Sequence, residues 1–517
     1  MTDLLNTAPE WTFRNHWMAQ VAGHAFGKAD ETALRHRGVN TTWSQLHEHS
    51  LAAAGALARR GVRRGDRVLL LTLNHSEFVE AVLAINSLGA MAVPVNFRLA
   101  PGEVQYIVED SGATVILADQ MLAPLVGAVG QLTDRLRTRI CFGEAEGFES
   151  YASLVAEDDP AELADVAEDE TALIIYTSGT TGHPKGAMLS HRNLQLQALT
   201  CIRANGMNDD SDVGFLTAPF FHIAGLGSMV ANLLLGIPTV IHPLGAFDPA
   251  AVVDAWEAEG ATIVFNVPQQ WQAICALPDI KDRKLDLRII SWGAAPASET
   301  LLRTMSETFP DAVNVAVFGQ TETSPITCVL SGDDSLRKLG SVGKPIPTIQ
   351  YRVVDDEMND VPRGEVGEIV YRGPTVSRGY WNKPEATAAA FHGGWFHSGD
   401  LVRQDDEGFV WVVDRKKDMI ITGGENVYCA EVENALYAHP DVVEAAVIGR
   451  PDEQWGEIPV AVVVQREGAA LDLEALTTFL DGHLARYKLP KRLVIIDELP
   501  RNAGGKVLKT ALRTEVE

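Results

Sequence analysis

Cysteine is scarce in this chain. Its five residues, Cys141, Cys201, Cys275, Cys328 and Cys429, stand far apart without paired spacing. That argues against a disulfide framework or a cysteine zinc module and fits free thiols in a reducing compartment. Positive charge is short as well: 43 Lys and Arg against 69 Asp and Glu leave a net charge of −26. Such an acidic chain is a poor candidate for binding nucleic acid or for a polybasic membrane anchor. The first residues lack a basic start followed by an apolar core, so no secretory leader is expected. The most apolar stretch, residues 227–241, is too short and interrupted to span a bilayer. The expected location is cytoplasmic, without a transmembrane segment. Weak peripheral membrane contact and a homodimer are left open.

What is present is ample core material. A length of 517 residues with 46% hydrophobic and 22% charged content allows two to four globular domains. From Thr42 to Asp119 the pattern alternates helix and strand, with helices at 44–60, 77–88 and 101–110 and strands at 66–73, 91–95 and 114–118. It resumes with strand-like runs at 213–217, 239–241, 262–267, 287–291 and 313–317. This predicts an α/β architecture of mixed, mostly parallel sheets covered by helices. The acidic stretch 157–170 reads as a solvated connection. From Ile349 short strands and turns predict a β-rich subdomain, including 349–354, 367–371 and 409–413. A charged break at Asp414-Arg-Lys-Lys-Asp418 precedes about a hundred residues of small α+β domain. The expected division is 1–414 and 415–517, the second part mobile.

Several polar clusters follow predicted strands. Tyr176-Thr-Ser-Gly-Thr-Thr-Gly-His-Pro-Lys-Gly186 follows the apolar run 172–175, and Ser190 beyond it suits a helix cap. Its glycines, hydroxyls and Lys185 suit polyphosphate oxygens, which favour clustered N–H donors and cations. It is not a Walker loop, because Pro184-Lys185-Gly186 lacks the following Ser or Thr. Phe318-Gly-Gln-Thr-Glu-Thr323 offers a ring face, hydroxyls and the carboxylate of Glu322, a combination that suits Mg²⁺. Trp292-Gly-Ala-Ala-Pro296 gives small residues against which a flat ring can lie. His397-Ser-Gly-Asp400 reads as a turn with a carboxylate for a ribose diol. Phe220-Phe-His222 sets an imidazole beside aromatics, and Arg501-Asn-Ala-Gly-Gly-Lys506 sets a cation in a glycine turn. Taken singly, the Thr/Gly loop favours its phosphate reading and Phe318–Thr323 is evenly balanced, whereas His397–Asp400, His222 and Lys506 read first as an ordinary turn, a packed core residue and a solvated charge.

Taken together and in order, these segments resemble the adenylate-forming superfamily of acyl-CoA synthetases, adenylation domains and beetle luciferases. Gly379-Tyr-Trp-Asn-Lys-Pro-Glu385, Gly394–Asp400, Asp414–Glu433 and Pro500–Lys506 extend the likeness over nearly the whole chain. The resemblance implies a ligase that forms acyl-AMP and pyrophosphate from a carboxylate and ATP. It then passes the acyl group to the thiol of coenzyme A. ATP and coenzyme A are thus expected co-substrates, with Mg²⁺. By the same resemblance Thr177, Ser178, Gly179, Thr180, Thr181, Gly182 and Lys185 grip the outer phosphates. Thr321 meets the α-phosphate and Glu322 holds the metal. Gly293, Ala294, Ala295, Pro296, Phe318, Gly319 and Gln320 surround the adenosine, and Asp400 with Arg415 takes the ribose. Lys506 bridges the α-phosphate and the carboxylate, and Lys417 is the hinge. Gly423, Gly424, Glu425 and Asn426 line the pantetheine path. His222 borders the carboxylate and the thiol entry. Phe318 stands where tyrosine is usual, Cys429 where proline is common, and Trp292 where a small residue is typical.

The acyl pocket is expected from Phe221, His222, Ile223, Gly225, Ser228, Phe265, Val267, Trp292, Ser324 and Ile326. These are mostly apolar, without an acidic partner for an ammonium group, which disfavours an amino acid. The expected substrate is a hydrophobic carboxylic acid. A medium- or long-chain fatty acid is the first choice. A bulky steroid-like or aryl acid, or loading of a carrier protein, is the alternative.

Overall fold

The structure is a computed structural model that describes residues 13–157, 159–177, 183–295, 297–423, 425–481, 484–501 and 507–516. Among them the chain forms four sheets. A seven-stranded sheet is parallel through Thr138–Phe142, Val115–Asp119, Arg67–Leu71, Met91–Pro94 and Thr171–Thr177, and ends antiparallel at Lys185–Ser190. A nine-stranded sheet is parallel in its centre, through Thr32–His36, Thr239–Ile241, Gly214–Leu216, Ile263–Asn266, Ile289–Gly293 and Val313–Gly319. Antiparallel strands close both of its edges. The alternating sequence from Thr42 onward thus yields the expected mostly parallel sheets.

Strand periodicity places the core. In Arg67–Leu71, Val68 and Leu70 enter a core that includes Trp43, Phe78, Phe220 and Leu226, whereas Leu69 and Leu71 pack on the opposite face with Val93 and Ile116. Both faces are therefore covered by helices, as a buried parallel sheet requires. Helices Trp43–Arg59, Ser76–Ser87, His191–Asn205 and Ile223–Leu235 contribute to the first of these cores, which both large sheets share. Full burial of each large apolar side chain there contributes about 1.5–3 kcal/mol. Helix starts follow local chemistry. Thr42 and Gln45 form a reciprocal capping box, and Ser190 caps His191–Asn205 as expected, its Oγ accepting from Asn193 N at 3.1 Å.

Three local expectations change. The strand Lys185–Ser190 lies between the Thr/Gly loop and the helix, so the loop joins two strands of a hairpin rather than strand to helix. Its buried Ala187 and Leu189 had too short a run to show a period. His397-Ser-Gly-Asp400 is not a turn but the middle of strand Phe396–Gln404. Gly399, with φ 71°, and nearby register shifts bend that strand where its sequence reads as a break. The acidic stretch 157–170 is docked rather than freely solvated. Arg14 pairs with Asp165, Arg60 with Glu149 and Glu157, and Arg64 with Glu170.

The antiparallel four-stranded sheet Gln350–Val354, Val366–Arg372, Phe396–Gln404 and Val410–Arg415 is the β-rich unit. Beyond it Gly456–Gln465 is the central strand of a five-stranded sheet and pairs antiparallel with the edge strand Val442–Asp452. Helices Cys429–Tyr437, Leu473–Leu480 and Lys509–Glu515 accompany that sheet in a small α+β domain. No helix among the described residues is long and apolar enough to cross a membrane.

Candidate active site

The hairpin Thr171–Thr177/Lys185–Ser190 sets Thr177 opposite Lys185. The segment after Gly379 runs beside it: Met188 N donates to Gly379 O at 3.0 Å, and Trp381 N to Gly186 O at 2.8 Å. This seats Tyr380 between two charged groups. Its ring lies 5.3 Å from Lys185 Nζ, and its hydroxyl donates to Glu322 Oε1 at 2.8 Å. Thr177 Oγ1 donates to the same oxygen at 3.5 Å. Burial, with the nearby Glu322 charge, pushes the Tyr380 phenol far above its ordinary pKa, so it remains a donor.

Strand Val313–Gly319 delivers the next groups. Gly319 is needed for close approach, because a Cβ there would lie 1.8 Å from Pro325 O. Thr321–Thr323 then forms a single tight turn, anchored by Ser377 N donating to Glu322 O at 2.7 Å. Gln320 Nε2 donates to Ser398 O at 3.3 Å. Ala294 follows the neighbouring strand Ile289–Gly293 with φ 66°, a left-handed backbone uncommon outside glycine. Asp400 and Arg415 face each other across two strands, with Arg415 Nε 2.7 Å from Asp400 Oδ1.

One cavity of about 810 Å³ gathers these groups. Its wall brings together the expected Thr177, Lys185, His222, Ile223, Ser228, Phe265, Ala294, Phe318, Gly319, Gln320, Thr321, Glu322, Ile326, Arg415 and Lys417. His222 caps helix Ile223–Leu235, with Nδ1 accepting from Ala224 N at 3.2 Å. The neutral ring therefore carries its proton on Nε2. Burial lowers its pKa. On the C-terminal side Lys416, Asp418 and residues 507–510 complete the wall. Lys509 there pairs with Glu433 at 2.7 Å. Burial opposes the Lys509 charge, but its acidic neighbours outweigh burial and raise its pKa.

Other expected residues do not border this cavity. Trp292 shares a strand face with Ile290 and packs with Trp256 and Trp271, its indole N–H donating to Asn314 Oδ1 at 3.0 Å. The period-two pleat turns it to the strand face opposite the cavity. Phe221 sits edge-on to Phe97, with ring centroids 5.6 Å apart. Gly225 is pressed against backbone, where a Cβ would meet Pro219 O at 2.6 Å. Val267 opens helix Pro268–Cys275, and Ser324 is fully buried in the turn before Pro325. Gly293, Ala295 and Asp400 are likewise not part of the cavity wall, though Asp400 is paired with the lining Arg415. Gly423, Glu425 and Asn426 belong to a separate hairpin, Ile420–Thr422 with Glu425–Val427, where Gly423 N donates to Trp455 O at 2.8 Å. Ser178, Gly179, Thr180, Thr181, Gly182, Pro296, Gly424 and Lys506 lie outside the described residues.

Among the wall residues that sequence reasoning missed are Tyr380, Gln197 and Cys201. Tyr380 stands in Gly379–Glu385, a segment noted for its likeness but given no role. Gln197 and Cys201 lie one turn apart on helix His191–Asn205 and both face the cavity. Gln197 Oε1 accepts from Ile326 N at 3.2 Å, and its Nε2 donates to Cys201 Sγ at 3.2 Å. A buried Gln–Cys pair on a helix has no motif that singles it out.

Family models for the AMP-binding enzyme and for its C-terminal domain match residues 21–381 and 431–506. The chain belongs to the AMP-binding enzyme family. It is 41% identical over 497 residues to a feruloyl-CoA synthase of an Amycolatopsis species, covering 96% of each chain. It is 39% identical over 506 residues to an indoleacetate–CoA ligase of Aromatoleum aromaticum, covering 96% of this chain and 97% of the relative. Among solved structures it resembles the o-succinylbenzoate CoA synthetase of Bacillus subtilis in complex with its acyl-adenylate intermediate. There the TM-score is 0.85 at 32% identity, covering 97% of this chain and 98% of that one. The AMP-binding enzyme is thus an AMP-forming acid–CoA ligase of the adenylate-forming superfamily, with the large N-terminal and small C-terminal domains of that fold.

Proposed function

We propose that this ligase activates an aryl carboxylic acid bearing an oxygen substituent, binding its ring beside Gln197. The carrying observation is the two aryl-acid relatives, at 41% and 39% identity over nearly the full chain. They favour the aryl alternative over the fatty acid that the residues alone put first. The cavity supports this reading: helices His191–Asn205 and Ile223–Leu235 offer it Gln197, Cys201, Ile223, Ala224, Gly227 and Ser228, none of them charged. A thiol is a weak acceptor, so the Gln197 amide, oriented by Ile326 and Cys201, retains donor capacity for a ring hydroxyl or methoxy oxygen.

The division of chemistry follows from which groups stand where. A carboxylate is a poor acyl donor because its leaving group would be oxide, and adenylation replaces that with AMP. Lys185, Thr177 and Thr321 hold the phosphates, and donors fixed there stabilise charge developing at the α-phosphorus. Arg415 with Asp400 orients the ribose, and Phe318 and Ala294 flank the adenine. Glu322 fits Mg²⁺: its nearly buried carboxylate meets the phosphate-side hydroxyls, and Mg²⁺ commonly takes one protein carboxylate along with phosphates and water. That ion, when bound, neutralises phosphate charge. The proton of His222 on Nε2 faces the region where carboxylate and thiol meet. Residues 415–517 form the moving unit with its hinge at Lys417. Lys506 serves adenylation, and the hairpin around Gly423 and Asn426 serves the thiol step.

A panel of cinnamic, hydroxycinnamic, indolyl and fatty acids, assayed for thioester with ATP, Mg²⁺ and CoA, tests the substrate. Highest kcat/KM for an oxygenated aryl acid is expected, and a fatty acid in that place refutes the reading. Lys506→Ala is expected to abolish pyrophosphate release yet spare thioester formation from pre-made acyl-AMP. Equal loss in both half-reactions overturns the assignment.

A further inference from the structure

Away from the cavity, His36, His75 and Glu77 bring one ligand atom each within 4.8 Å of one another. They come from different parts of the fold. His36 ends strand Thr32–His36 of the nine-stranded sheet, while His75 precedes helix Ser76–Ser87 and Glu77 lies in its first turn. The His36 and His75 rings meet edge to face, with centroids 5.2 Å apart.

Two features distinguish this cluster from a chance grouping of polar side chains. His36 is 8% exposed, and its Nε2 has no hydrogen-bond partner, an arrangement that ordinarily costs stability. His75 Nε2 is paired with the carboxylate of Asp119, which ends strand Val115–Asp119 of the other large sheet. With Nε2–H donating to Asp119, the Nδ1 lone pair of His75 is turned outward. A carboxylate behind a histidine in this way fixes the tautomer and strengthens the donor in metal sites.

We propose that His36, His75 and Glu77 form a binding site for a divalent transition ion, Zn²⁺ in the first instance, with Asp119 orienting His75. Two imidazoles and one carboxylate suit zinc, and nitrogen donors select against Mg²⁺ and Ca²⁺. Zinc–ligand bonds of about 2.0–2.1 Å require the three donors to draw together by roughly an ångström. None of the four residues lines the cavity, so the ion is structural. It ties the end of strand Thr32–His36 to the start of helix Ser76–Ser87 and, through Asp119, one large sheet to the other.

The test uses the full chain without a histidine tag, stripped by chelator and titrated with Zn²⁺ alone. One equivalent is expected to bind and to raise the melting temperature, with no effect of Mg²⁺ on either. His36→Gln and Glu77→Gln are each expected to weaken Zn²⁺ binding at least tenfold while thioester formation continues at the wild-type rate, which shows that the variants are folded. Co²⁺ in place of Zn²⁺ is expected to give the visible bands of a four- or five-coordinate ion. Substoichiometric Zn²⁺, equal binding by the variants, or a Co²⁺ spectrum unchanged from water overturns the proposal. A failed substrate panel leaves this result untouched, because the two sites share no residue.

Discussion

The two sides of the cavity are built by different means. The side proposed for the phosphates consists of charged and hydroxyl groups on strand ends and turns: Lys185, Glu322, Thr321 and Thr177, with Tyr380 laid between them. The side proposed for the acid consists of helix faces, where Gln197, Cys201, Gly227 and Ser228 are turned toward the cavity by the direction of a helix rather than by a turn. Charge stabilisation at phosphorus demands fixed residue types in a fixed local order. Recognition of a hydrophobic acid demands only shape and a few placed polar atoms. The first side should therefore break with large losses in rate, and the second with modest changes in preference.

Glu322→Gln should give the largest loss. It keeps the volume of the side chain and removes the charge. We expect adenylation to fall by about 10²- to 10³-fold, the scale for removing one preorganised electrostatic group, with thioester formation from pre-made acyl-AMP much less affected. Pyrophosphate release measured against the second half-reaction separates the two. A loss below tenfold would place the metal and phosphate work elsewhere.

Tyr380→Phe comes next. Its hydroxyl donates to a charged oxygen, a bond worth about 1.5–3 kcal/mol, and its ring still carries the Lys185 ammonium. We expect kcat for adenylation to fall by about tenfold or somewhat more and the Mg²⁺ requirement to shift upward. Tyr380→Ala should cost more, because it also removes the ring beneath Lys185. If Phe and Ala behave alike, the ring contributes nothing.

The same contrast explains what could be read without a structure. Lys185, Thr321 and Glu322 were legible because strand-end turns carry glycine and hydroxyl residues in a local order. The alternating elements from Thr42 to Asp119 were legible because each element has its own period. Trp292 was misplaced because its face depends on the register of Ile289–Gly293, which a short apolar run does not reveal. The strand through His397 and Asp400 was missed because Gly399 mimics a turn. Gln197 was invisible because its importance comes from Ile326 and Cys201, which meet it through tertiary packing and a helical turn.

Gln197→Leu probes the acyl side directly. It preserves approximate volume and removes the amide. We expect the preference for a ring-hydroxylated acid over its unsubstituted parent, as a ratio of kcat/KM, to fall by about three- to tenfold, the range for one net hydrogen bond. The absolute rate with the unsubstituted acid should stay within about threefold, since no phosphate contact is touched. Loss on both acids in equal measure would mean that Gln197 only braces Ile326.

The smallest effect belongs to His222, which joins the two sides. Burial lowers its pKa below the ordinary 6.5, so the folded protein resists protonation that the unfolded chain accepts. Between pH 6.5 and the lower folded value the unfolded state thus binds more protons, and stability falls as pH falls. The contribution is fully present above pH 6.5 and is lost on the acid side. His222→Asn lacks this linkage while keeping a group able to cap Ile223–Leu235. His16, His24, His36, His47, His191 and His242 are also lowered, so the variant should still lose stability in acid, only less steeply. Thermal melts between pH 7 and pH 5 are expected to show the wild-type midpoint falling more than that of the variant, by about 1–2 °C in so large a chain. Parallel pH profiles would mean that the His222 ring gains water or a proton partner in the folded cavity, and the boundary between the polar and apolar sides would then lie deeper than this residue.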